Sequence, residues 1–123
     1  MELTYEKISE YLGTMAAKKE LVCYTEMYHY FQIPKHKQTS DENPIPRFLG
    51  RMMRDDAKAN RPLLASIVVA KRVNVDKSKL LPSQTYFSAL GEVRQIPIPK
   101  GREKRLRYKA ELKAVFAYYA GRH

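Results

Sequence analysis

The chain has no tryptophan and only one cysteine among its 123 residues. Cys23 therefore has no partner for an internal disulfide, and zinc modules built on paired cysteines are excluded. A lone thiol also fits a reducing, cytoplasmic setting. No apolar run approaches the roughly 18 residues that a membrane-spanning helix needs, so no membrane partner is expected. The opening stretch Met1 to Glu6 lacks the basic-then-apolar pattern of a secretion signal. There is no glycine-rich phosphate loop, no G-x-S-x-G elbow, no internal repeat and no low-complexity tract. His29, His36 and Cys23 are too irregularly spaced for a standard metal site, so neither a metal nor another cofactor is expected. Asp55 and Asp56 precede a strand-like run ending at Lys71, but that run holds no acid to complete a nuclease metal site. The expectation is a protein without catalytic activity.

Acidic residues are scarce in one half of the chain. Residues 1–60 carry nine basic and nine acidic side chains, whereas residues 61–123 carry fourteen basic and four acidic ones. The whole net charge of +10 therefore lies in the second half. Such asymmetry favours a polyanionic partner. The composition is otherwise that of a globular domain: 44% of residues are hydrophobic and 29% charged, enough apolar material to build a core.

Thr4 is placed to cap a first helix, with Ile8, Leu12 and Met15 on one side, ending near Ala17. Leu21 to Tyr24 reads as a brief strand, and Thr25 as the cap of a second helix closed by Pro34. Lys35 to Asn43 reads as an exposed loop. Pro46 suits the first turn of a third helix running to about Ala59, with Asn60 as its C-terminal cap. Leu63 to Ala70 is short, apolar and partly β-branched, the pattern of a strand. Val73 to Ser83 reads as a loop or hairpin tip. Gln84 to Phe87 then reads as a returning strand, or Tyr86 to Leu90 as a short helix stopped by Gly91. Pro97, Pro99 and Gly101 punctuate a linker before a last helix with Tyr108, Leu112, Val115, Phe116 and Tyr119 on one face. This order predicts an α+β fold, a winged helix-turn-helix-like domain over 1–93. A linker and a basic amphipathic C-terminal helix would fill 94–123.

The third helix carries the functional reading. Arg47, Arg51, Arg54, Lys58 and Arg61 are spaced so that, at 100° per residue, they share an arc of about 80°. Ile45, Phe48, Leu49, Met52 and Met53 occupy the other side. One flank can enter a core while the other offers a cationic ridge to a DNA groove, where arginine pairs bidentately with guanine edges or phosphates. Lys71 and Arg72, with Lys77 and Lys79 in the presumed wing, would add backbone contacts. A solvated amphipathic helix shows the same pattern, and Asp55 and Asp56 are placed to neutralise part of it.

Val22-Cys23-Tyr24-Thr25-Glu26 leads into a helix. Arg47-Phe48-Leu49-Gly50-Arg51-Met52-Met53-Arg54 follows, then Pro62-Leu63-Leu64 and Ile67-Val68-Val69. Over about residues 5–72 this succession resembles the winged-helix DNA-binding half of the alkylguanine-DNA alkyltransferases and alkyltransferase-like proteins. The resemblance implies that Tyr24 and Arg47 engage a target nucleotide, the arginine filling the stack when a base is flipped out. It also implies close backbone approach at Gly50. The reactive P-C-H-R tetrapeptide of the transferases is absent, and Ala65-Ser66 stands roughly in its place. Alkyl transfer is thus not implied, and a modified-base sensor is.

The leading expectation is a non-enzymatic protein that binds double-stranded DNA through the third helix and wing. A second is a protein-interaction module, such as an inhibitor or adaptor of phage, plasmid or bacterial defence context, with an acidic protein or nucleoprotein complex as partner. The C-terminal helix offers an apolar face for docking on the domain, for a homodimer or for a partner.

Overall fold

The computed structural model describes residues 3–39 and 41–120. The protein is α+β and mostly helical. Its elements are α1 (Tyr5–Ala17), β1 (Val22–Cys23), α2 (Tyr24–Tyr30), α3 (Lys35–Gln38), α4 (Pro44–Lys58), β2 (Val68–Val69), α5 (Gln84–Arg94) and α6 (Arg102–Tyr119). Two short 3-10 turns, Leu64–Ile67 and Lys77–Lys79, complete it. Among the described residues no helix is long and apolar enough to cross a membrane.

The three long amphipathic helices follow their apolar spacing. On α1, Ile8, Leu12 and Ala16 are buried, and the Thr4 side chain accepts from the Lys7 amide at 3.2 Å. On α4, Ile45, Leu49, Met52 and Met53 are buried. On α6, Tyr108 and Val115 enter the same core, with Leu112, Phe116 and Tyr119 packed against it. The apolar side of α6 that the sequence offers for dimerisation or docking therefore lies on its own domain.

Several local expectations are corrected. The Leu63–Ala70 run is not one strand: it forms a 3-10 turn followed by the two residues of β2. β2 pairs in parallel with β1, Val22 opposite Val68 and Cys23 opposite Val69, so its partner lies far back in the chain. Among the described residues no antiparallel hairpin follows α4. Gln84 to Phe87 opens α5, which continues through Gly91 to Arg94. Gly91 is there for contact: a Cβ on it would meet the Ile96 carbonyl and Ile98 Cγ1, each at 3.1 Å. α2 begins one residue before Thr25, and the Glu26 carboxylate accepts from the Cys23 amide at 3.0 Å. The Lys35–Asn43 stretch holds the single turn of α3.

Two carboxylates pin the turn that leads into β2. Asp56, 4% exposed, accepts from the Leu64 amide and from Arg61 Nε, both at 3.0 Å. Burial raises its carboxyl above the ordinary aspartate range, with the Leu64 amide and Arg61 pulling the other way. Glu111 on α6 accepts from the Leu63 amide at 3.0 Å and from both sides of the Arg94 fork, at 3.2 and 3.0 Å. Backbone donors that would otherwise be orphaned inside the protein are thereby satisfied.

Candidate nucleic-acid interface

The start of α4 is set by Asn43. Its side chain accepts from the Ile45 amide at 3.1 Å and donates to the Tyr28 hydroxyl at 2.9 Å and the Gln38 carbonyl at 3.0 Å. One residue thus caps α4 and ties it to α2 and α3. With the buried stripe fixed inward, the opposite flank faces water. Arg47, Arg51, Arg54 and Lys58 are all exposed there.

The five predicted cations are not equivalent. Arg47, Arg54 and Lys58 have no carboxylate or hydrogen-bond partner among the described residues. Arg51 stacks over the Tyr5 ring, 4.1 Å from its centroid, and its Nε lies 3.7 Å from Asp55. The Tyr5 hydroxyl donates to the same carboxylate at 3.0 Å. Burial, reinforced by Asp55, pushes that phenol up to about 12. Arg61 leaves the ridge altogether. α4 ends at Lys58, Asn60 takes the left-handed conformation at φ 57°, and Arg61 turns back to Asp56. The helical period stops applying where the helix stops.

The flank borders a cavity of about 570 Å³. Tyr24 and Tyr28 of α2, Arg47, Gly50 and Met53 of α4, and Ala65 and Val68 line it, with Ser83, Thr85 and Tyr86 closing the far side. Its volume falls in the ordinary range of small-molecule sites. Tyr24 and Arg47, 23 residues apart in sequence, thus share one cavity. The Tyr24 hydroxyl lies 3.5 Å from Ser83 Oγ, and burial raises its pKa. Tyr86 is held deeper, its hydroxyl 2.6 Å from the Oγ of buried Ser66. The acid Asp41 lies at the same cavity. A Cβ on Gly50 would meet only Arg54 Nη1, at 3.6 Å, which is ordinary contact. The fold itself does not need glycine there, and its absence of a side chain leaves the helix surface open beside Arg47.

The segment read as a wing is a loop with one 3-10 turn. Lys77 Nζ lies 2.6 Å from the Glu26 carboxylate, which fastens the loop beside the start of α2. Desolvation pushes Glu26 upward, but Lys77 and the Cys23 amide outweigh it and hold the carboxyl below its usual value. Lys77 is thus paired, while Lys71, Arg72 and Lys79 are exposed. Cys23 is buried, and burial raises its thiol pKa, the opposite of an activated nucleophile. Among the described residues no three His, Cys, Asp or Glu side chains gather to hold a metal ion.

Ser83, Thr85 and Tyr86, also on the cavity lining, carry no local sequence signal for a site beyond the abundance of tyrosine. No family model matches the chain, and neither the characterised proteins nor the solved structures compared with it gave a match.

Proposed function

We propose that this is a non-enzymatic DNA-binding protein. It reads a duplex with the exposed flank of α4, in the manner of a winged helix-turn-helix, with the Lys71–Lys79 loop beside it in the role of a wing. The observation that carries the reading is the position of Arg47. It belongs to the open cationic flank and also lines the cavity shared with Tyr24.

Arg47, Arg54 and Lys58 supply charge for phosphates, and arginine adds bidentate pairing to a base edge. The cavity is of a size to take an unstacked base; in this reading Tyr24 and Tyr28 stack on the base, and Arg47 fills the gap it leaves in the duplex. The alkyltransferase-like resemblance implies the same roles for Tyr24 and Arg47, in sensing a modified base without alkyl transfer.

Affinity for a duplex with one mispaired base, compared with its fully paired counterpart, tests the cavity's role. A mispaired base costs less to extrude, so the mispaired duplex is expected to bind more tightly, and Tyr24→Ala to abolish that preference. Equal affinities for the two duplexes would contradict the base-receiving role.

A further inference from the structure

We infer that α6 carries a second contact for the phosphate backbone of a nucleic-acid duplex, separate from α4. Arg102, Arg105, Lys109 and Lys113 are all exposed. Their spacing of three, four and four places them within an arc of about 80° on one helix, in a line roughly 17 Å long. None of the four has a carboxylate or hydrogen-bond partner among the described residues. The two acids of α6 are engaged elsewhere: Glu103 pairs with Arg107 at 3.1 Å, and Glu111 is held by Arg94. The ridge is therefore an unopposed row of charge, which α4 achieves only in part.

A second element extends it. Lys19, just past α1 and held at φ 57°, lines a shallow groove together with Lys109 and Lys113. Three lysines from two parts of the chain line it beside Leu112 and Phe116, and among the described residues no acid does. Convergent like charge costs self-repulsion, which a polyanion relieves. A lipid surface is a poorer fit. A helix adsorbing to a membrane needs a wide free apolar face, whereas on α6 Tyr108 and Val115 are buried in the core and Leu112 and Phe116 are only partly open at the groove. A narrow line of cations suits a backbone of regularly spaced phosphates.

The contact is independent of the α4 reading, and the test keeps them apart. Duplex affinity is measured against salt for the wild type, for Arg102→Gln/Arg105→Gln/Lys109→Gln/Lys113→Gln, and for Arg47→Gln/Arg54→Gln/Lys58→Gln. All substituted side chains are exposed, and unchanged thermal melting verifies the fold. The α6 variant is expected to lose about tenfold or more in affinity, with a salt slope shallower by about 3 to 4. An α6 variant with wild-type affinity and slope would overturn the inference, whether or not the protein is retained on anionic vesicles or by an acidic protein. If the α6 variant is weakened and the α4 variant is not, this inference stands and the α4 reading falls. Charge reversal at one site, Lys109→Glu, is expected to weaken binding in the same direction, and wild-type affinity in that variant counts against the ridge.

Discussion

Asp56 on α4 and Glu111 on α6 accept hydrogen bonds from consecutive backbone amides, Leu64 and Leu63, each at 3.0 Å. The two helices that carry the cationic flanks are thus fastened to the same turn, beside the cavity wall at Ala65. Removing either carboxylate leaves a buried N–H without a partner. Asp56→Ala and Glu111→Ala are each expected to cost about 2 kcal/mol, read by chemical denaturation. A loss below about 0.5 kcal/mol in either variant would show that its carboxylate is not holding the turn.

Arg61 pairs with Asp56 while its side chain stays partly exposed, and this pairing has a pH signature. Burial raises the Asp56 carboxyl above its ordinary value near 3.8. Its folded state therefore binds the proton more readily than the unfolded chain does. The contribution to stability is greatest below that ordinary value and declines as pH rises through the folded one. Arg61 opposes the shift, so Arg61→Gln should raise the folded pKa further. The melting-temperature gap between wild type and Arg61→Gln is expected to be small near pH 3 and to widen as pH rises towards 7. A gap independent of pH would separate Arg61 from Asp56.

Two buried tyrosines should respond in opposite ways to loss of their hydroxyls. Tyr86 shares a 2.6 Å hydrogen bond with Ser66, whereas the buried Tyr108 hydroxyl has no hydrogen-bond partner among the described residues. Tyr86→Phe leaves Ser66 Oγ unsatisfied and is expected to destabilise by about 1 to 2 kcal/mol. Tyr108→Phe removes an unpaired polar atom from the interior and is expected to be neutral or stabilising. Denaturant midpoints of the two variants check this, and equal losses would contradict it.

The long helices were legible because their apolar positions recur at helical spacing. Ile8, Leu12 and the α4 stripe Ile45, Leu49, Met52 and Met53 all point inward as that spacing requires. The Leu63–Ala70 run is not legible as a turn because Leu63 to Val69 are all buried. Periodicity then carries no signal, and β-branching at Ile67, Val68 and Val69 favoured a strand eight residues long where only two pair. Gly91 suggested a helix end, but close packing against Ile98 was its reason, and that contact depends on tertiary structure. The ridge was readable up to Lys58. Arg61 failed because its direction follows from Asn60 and Asp56 rather than from a helical period. The resemblance pairs Tyr24 with Arg47, but the cavity they share is completed by residues from α5 and the turn before β2, a convergence that no local pattern encodes.

The central claim is that Arg47, Arg54 and Lys58 meet phosphates, and the salt dependence of duplex binding tests it most directly. Wild-type affinity is expected to fall steeply as salt rises. The triple glutamine variant should show a slope shallower by about 3, and Arg61→Gln a slope unchanged from wild type. A wild-type slope near zero, or a triple variant as salt-sensitive as the wild type, would contradict the assignment of α4 as the reading helix.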